Sequence, residues 1–317
     1  MISPAMGLVL AGLLFAEDRP PSIPAANELG EIMILEYHRI EPAESRWARS
    51  AGNFRKDLRR LYTEGFRPIS LGEFLDGDIP ISAGLKPILL TFDDSSPGQF
   101  RLSSPNTKAE IDPESAVGML IHFQKEHPDF RLRGVFFVLP EADQPNRLFG
   151  QPGLEAEKLR QLTALGFEIG NHTLWHADLK KCDRQQVQKQ LALAVDFLQG
   201  VLPGYPVRGL SLPFGNYPLE RSLVLQGAYK GIGYRHEAVM KVSGGPSFSP
   251  FHLRCDLSGL PRIQMTGSEL EHWLRYFEQH PAEVFISDGH PKKVTFPASS
   301  SSFFNSRRYP YHSLRAE

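Results

Sequence analysis

The stretch Pro87-Ile88-Leu89-Leu90-Thr91-Phe92-Asp93-Asp94 sets a near-continuous apolar run directly before two carboxylates. A strand with one wet face alternates apolar and polar residues. An uninterrupted run fits a strand covered on both faces, as in a parallel sheet wrapped by helices. Upstream of it, Ile32-Met33-Ile34-Leu35 reads as another buried strand, and Phe54, Leu58 and Leu61 stand at helical spacing before Gly65. Ser70-Leu71-Gly72-Glu73 has capping-box spacing for a short helix. Downstream, Ala116, Met119, Leu120 and Phe123 mark a helix, and residues 134–139 (GVFFVL) a strand. Leu159, Leu162 and Leu165 close on Gly166, before the strand Phe167-Glu168-Ile169. Asp183 and Gln186 cap the stripe Val187, Leu191, Val195 and Leu198, and Thr266-Gly267-Ser268-Glu269 starts a helix with Leu270, Trp273, Leu274 and Phe277. Val284-Phe285-Ile286 is the last predicted strand. Such repeated βα units predict an α/β fold, one parallel sheet closed into a TIM-barrel-like (β/α) barrel.

Composition agrees with one large globular domain: 317 residues, 41% hydrophobic and 22% charged. The 35 Lys and Arg against 36 Asp and Glu leave a net charge of -1, without the basic excess of a nucleic-acid binder. Cys182 and Cys255 are too few for a disulfide scaffold or a four-cysteine zinc site. No G-x-G-x-x-G follows a strand and no P-loop occurs, so no nucleotide cofactor is indicated. Residues 4–16 (PAMGLVLAGLLFA) carry no charge. They are too short to span a bilayer and match the apolar region of a secretory signal or anchor remnant, which points to the cell envelope or exterior. The Pro-rich residues 18–31 read as a linker, so residues 1–31 form a leader, 32–295 the barrel, and 296–317 a mobile Ser- and Arg-rich tail.

Polar residues interrupt the apolar pattern at revealing places. Asp93-Asp94, His172 and His176 in His172-Thr173-Leu174-Trp175-His176, Pro213-Phe214-Gly215, and Asp288 with His290 each follow an apolar strand-like segment. In a parallel barrel those strand ends share one face, where distant segments converge. One carboxylate and two imidazoles are a normal ligand set for a divalent ion such as zinc. A second carboxylate can take a proton from water beside the ion, and a distant histidine can protonate a leaving group. Each piece alone has a plainer reading: an Asp pair caps turns, and paired histidines pack or sit at the surface. The combination carries the signal.

Thr91-Phe92-Asp93-Asp94, the histidine motif, Leu212-Pro213-Phe214-Gly215 and the segment from Ile286 to His290 together resemble the motifs of the polysaccharide deacetylases, carbohydrate esterase family 4 with its NodB-homology domain. Leu35-Glu36-Tyr37-His38-Arg39-Ile40 is similar to a Tyr-His segment at the first strand of many members, and the likeness runs over residues 32–291. The resemblance implies a distorted barrel of about seven parallel strands. It implies one divalent metal, zinc or an ion such as cobalt or nickel, held by Asp94, His172 and His176. It makes Asp93 the general base, His290 the general acid, and the Phe214 backbone N–H an oxyanion donor. The implied substrate is a polysaccharide or oligosaccharide bearing N-acetyl groups, with no nucleic-acid partner. Two departures stand out: Ser211 occupies the position where the family commonly has an orienting Arg, and the fourth motif, which supplies an Asp to tune the acid, has only Asp256 and Asp288 as candidates. A carbohydrate-binding barrel without catalysis, or a hydrolase of non-sugar amides, therefore stays open as an alternative. Residues 95–113, long for a βα loop, are expected to shape the cleft.

Overall fold

The structure, a computed structural model, describes residues 24–103, 110–310 and 313–316. The apolar leader lies outside the described residues. Strand β1 (Glu31–Tyr37) is followed by α1 (Ala51–Thr63), β2 (Phe66–Pro68), α2 (Leu71–Asp76) and β3 (Lys86–Phe92). Then come α3 (Ala116–Glu126), β4 (Val135–Val138), α4 (Glu155–Leu165), β5 (Glu168–Asn171) and α5 (Arg184–Val201). The remainder used below is β6 (Gly209–Ser211), β7 (Ala238–Met240), β8 (Ser247–Phe248), β9 (Ile263–Gln264), α6 (Glu269–Gln279), β10 (Lys293–Phe296) and β11 (Ser313–Ala316).

The sheet runs β7-β6-β5-β4-β3-β1 with every neighbour parallel, and β9 adds a seventh parallel strand on β1 through Leu35↔Ile263 and Glu36↔Gln264. Just before β9, Leu260 bridges Met240 of β7 in parallel. The segment 260–264 therefore touches both ends of the curled sheet and joins them. The expected barrel of about seven parallel strands is what forms, and the sequence-predicted capping boxes at Ser70 and Asp183 are both present. At α6 the N-cap is Ser268 without a side-chain cap bond.

Alternation along the strands separates two environments. Met33, Leu35, Leu90, Phe136 and Ile169 pack with the apolar stripes of α1, α3, α4 and α5. The opposite residues, Ile34, Leu89, Phe137, Met240 and Leu260, join a second apolar cluster with Phe74 and Phe285. Continuing two residues along the same faces gives Glu36 after Ile34, Thr91 and Asp93 after Leu89, and Arg262 after Leu260, all buried. Period-2 geometry thus turns an apolar lumen into a polar one toward the C-terminal ends of the strands.

Three expectations about the ends need correction. Val284-Phe285-Ile286 is no strand of the barrel: Val284 and Ile286 make single bridges to Glu31 and Asn27, at the start of β1. The supposed linker is docked there, with the Glu28 carboxylate accepting from the Asp288 and Thr295 amides. The tail is not loose either. Phe304 and Tyr309 are buried in the second apolar cluster, and β10 pairs with β11. Alternating charge and Ser content hid these aromatic anchors.

Candidate metal and catalytic site

The C-terminal rim of the barrel gathers the site. After β3 the chain turns sharply, with Asp94 at φ 72° and Ser95 at φ 44°. The sharp turn lets neighbouring carboxylates serve separate sites, with Asp93 in the lumen and Asp94 at the rim. Beyond β5, Thr173 and His176 also take left-handed backbone, at φ 68° and 67°, as does Phe214 at φ 59° after β6. Such non-glycine conformations cost of order 1–3 kcal/mol each, and they persist where surroundings over-determine them. Here Asn171 Oδ1 accepts from the Thr173 amide at 2.8 Å, Thr173 Oγ1 from the Ala177 amide at 2.9 Å, and Gln190 Oε1 from the Leu174 amide at 3.2 Å.

Asp94 Oδ1 lies 3.2 Å from His172 Nε2 and 3.3 Å from His176 Nε2. The Nδ1 of His172 is 2.9 Å from the Ser211 carbonyl oxygen, which only accepts, so Nδ1 carries the proton and Nε2 presents a lone pair. Burial, reinforced by His172, pushes His176 down to about 4, which leaves its ring neutral and able to ligate. Asp94 Oδ1 is buried without a hydrogen-bond partner among the described residues. Three lone-pair donors of the O, N and N type converge within 4.8 Å, with one orphaned oxygen at their centre. A divalent cation fits this set, and it would satisfy the orphan that the protein leaves unpaired. The His172 pKa is raised: burial pulls it down, but Asp93, Asp94 and the Ser211 carbonyl together pull it further up.

Asp93 has a different environment. Arg262, 0% exposed, donates from Nη1 to Asp93 Oδ1 at 2.8 Å and from Nη2 to Oδ2 at 2.7 Å. Ser211 Oγ donates to the same Oδ2 at 2.7 Å, and Arg262 also pairs with Glu36. Burial alone would raise the Asp93 pKa, but the Arg262 guanidinium overrides it and holds the carboxyl well below the ordinary carboxylate range. For Glu36 burial wins, and its carboxyl is pushed well above that range despite Arg262. The orienting arginine expected at position 211 thus comes from the segment that closes the barrel. Its signal was present: a lone charge within Leu260-Pro261-Arg262-Ile263.

His38, immediately after β1, brings a ring nitrogen within 4.8 Å of carboxylate oxygens of Glu36 and Asp93. Its ring lies against Trp47 at 4.9 Å, and its carbonyl oxygen accepts from the Gln99 side chain, which also donates to the Asp93 carbonyl. His38, Trp47, Asp94, Arg101, His176 and Phe214 line a cleft of about 670 Å³. The Phe214 ring is 62% exposed and packs 4.7 Å from His176. The amides of Gly215 and Asn216 bond to Leu212 and Pro213, whereas no described bond uses the Phe214 amide.

His290 is the clear misplacement. Ser287 accepts from the Gly84 amide and donates its own to Leu85, and Ser287 Oγ bonds Ile81. These contacts anchor residues 287–290 beside the start of β3, and Asp93 follows the end of that strand. Seven residues of strand separate the two levels, on the order of 20 Å at a strand's rise. His290 is exposed there and cannot reach the cluster. The polar-after-apolar rule failed because Val284-Phe285-Ile286 plugs the opposite end of the barrel. Asp288, a candidate for the fourth motif, lies there too, bonded to Thr295; Asp256 bonds Ser258 in an exposed turn.

Residues 82–230 match the family model for polysaccharide deacetylase. The match spans a little under half of the chain. A chitooligosaccharide deacetylase of Sinorhizobium fredii (strain NBRC 101917 / NGR234) is 35% identical over 57 residues, covering 18% of this chain and 26% of that protein. Another, from Bradyrhizobium sp. (strain ANU 289), is 26% identical over 165 residues, covering 51% and 59%. The chain thus spans less than two thirds of the length of these curated relatives. A polysaccharide deacetylase structure from Bacillus cereus superposes with a TM-score of 0.56 at 18% identity, covering 77% of this chain and 68% of that one. At that identity the likeness speaks for the fold alone. The matched segment holds Asp93, Asp94, His172, His176 and Phe214, while Glu36, His38 and Arg262 lie outside it.

Proposed function

We propose that the chain hydrolyses N-acetyl groups on an N-acetylglucosamine-type polysaccharide, using one divalent ion held by Asp94, His172 and His176. The observation that carries this reading is the convergence of those three lone-pair donors, with Asp94 Oδ1 otherwise unpaired, one residue from a separately held carboxylate. A divalent ion there supplies Lewis-acid chemistry toward an amide carbonyl and an attacking water. Asp93 takes the proton of that water. Arg262 and Ser211 keep its carboxylate ionised and oriented. The Phe214 amide, unused by the fold, points to stabilisation of negative charge on the carbonyl oxygen.

The proton for the departing amine is assigned to His38 in place of His290. His38 shares the cleft with Asp94 and lies close enough to Asp93 for proton exchange through the cluster. The exposed rings of Trp47 and Phe214 flank the two cleft histidines and suit the apolar faces of sugar rings. The test is product analysis: chelated protein is reloaded with single metals and given defined N-acetylglucosamine oligomers. Metal-dependent acetate release supports the reading, and its absence with every metal favours a binding barrel.

A further inference from the structure

The cleft has one wall built from two loops, and a buried lysine lies behind it. Lys158 of α4 is 0% exposed and has no carboxylate bonded to it. Its Nζ donates to the carbonyls of Phe100 and Phe149, each at 3.0 Å, and sits over both rings at 5.8 and 5.6 Å. Phe100 adjoins Arg101 of the long loop after β3, and Phe149 belongs to the loop that contributes Pro145 and Asn146 to the cleft. Gln151 makes a second tie, with Oε1 accepting from the Leu102 amide and Nε2 donating to its carbonyl, both at 2.9 Å.

The second loop needs such restraint. Leu148 and Phe149 hold left-handed backbone at φ 44° and 68°, although both carry large side chains. The Phe149 amide donates to the Ser95 carbonyl, and Ser95 Oγ donates to the Asn146 carbonyl at 2.8 Å. Ser95 follows Asp94 directly, so the wall is fastened to the rim as well. A neutral amine has two N–H donors, matching the two carbonyls present, and burial does push the Lys158 amine down to about 7.

We propose that Lys158 and Gln151 are positioning residues that clamp residues 97–102 to residues 144–151 and so set the substrate-binding wall of the cleft. This rests on the carbohydrate reading of that cleft. Neither residue touches the Asp94, His172 and His176 cluster, so their effect falls on substrate affinity. The experiment compares wild type, Lys158→Met and Gln151→Ala for KM and kcat on an N-acetylglucosamine oligomer, for bound zinc, and for hydrogen exchange of both loops. Gln151→Ala, at a partly exposed position, serves if Lys158→Met does not fold. The expected result is KM raised about tenfold, kcat changed far less, zinc content unchanged and faster exchange confined to the two loops. Wild-type KM in the variants, with wild-type activity intact, overturns the clamp alone. A wild-type chain that releases no acetate with any metal overturns the enzymatic reading and the wall's role together.

Discussion

Two adjacent aspartates differ in partners because of the turn between them. Asp93 accepts from Arg262 and Ser211 inside the lumen, whereas Asp94 presents an unpaired oxygen to two imidazoles. Their substitutions should therefore separate. Asp93→Asn is expected to retain bound metal and lose activity by roughly 100-fold or more, the usual loss for a positioned base. Metal analysis beside acetate release checks this, and near-normal turnover in the Asp93→Asn protein would take the base role from Asp93. A second comparison sets His38→Ala against His290→Ala. The first is expected to lose on the order of 100- to 10,000-fold in turnover, and the second to behave as wild type. The reverse order would restore His290 and undo the assignment to His38.

At the scale of elements, β9 does more than fill a gap. It delivers Arg262 to two buried carboxylates, and a buried charge left unpaired is expensive. Arg262→Met should destabilise the fold by about 3–5 kcal/mol, read from urea unfolding midpoints; a loss below about 1 kcal/mol would mean the lumen carboxylates find other partners. Helix α4 offers a pH signature through Lys158. Its amine titrates near 7 when folded and at 10.5 as a free side chain. Between those values the unfolded chain holds a proton that the folded chain lacks, so this residue makes stability climb as pH rises from about 7 to 10. Below 7 both states are protonated and the burial penalty applies in full. The slope of unfolding free energy with pH should thus be shallower in Lys158→Met than in wild type over that window. Identical slopes would show that the amine does not titrate there.

The same elements explain what the sequence made legible. The buried strands, the helices between them and the candidate ligands Asp94, His172 and His176 follow local rules: apolar runs, helical spacing, and a polar residue where a run ends. Arg262 and His38 obey those rules also, but their meaning depends on which segment closes the ring, a long-range choice. Ile263–Gln264 is only two residues of strand, too short for periodicity to register. Val284-Phe285-Ile286 looked more strand-like and took its place in the prediction, carrying His290 with it. Local hydrophobicity cannot tell a strand in a ring from an apolar plug beneath it.

For the molecule as a whole, the proposed metal site would couple chemistry to stability. An ion that binds only the folded chain stabilises it by mass action, by about 4 kcal/mol at a thousandfold excess over Kd. Chelation should therefore lower Tm, and restoring the ion should raise it again in calorimetry. Unchanged Tm, with no metal retained after loading, would count against the cluster as a binding site. No helix among the described residues is long and apolar enough to cross a membrane.

The junction formed by residues 260–264 makes the working rim a property of the finished circle. Cut out at the borders of the family match, the stretch 82–230 would keep every atom of the candidate ligand set. It would lack the guanidinium bonded to Asp93 and the imidazole proposed as acid, since both arrive from beyond those borders. Grafts or minimal versions of this protein must accordingly begin before Glu36 and run past Arg262. A shorter piece should behave as a chelating scaffold with no turnover.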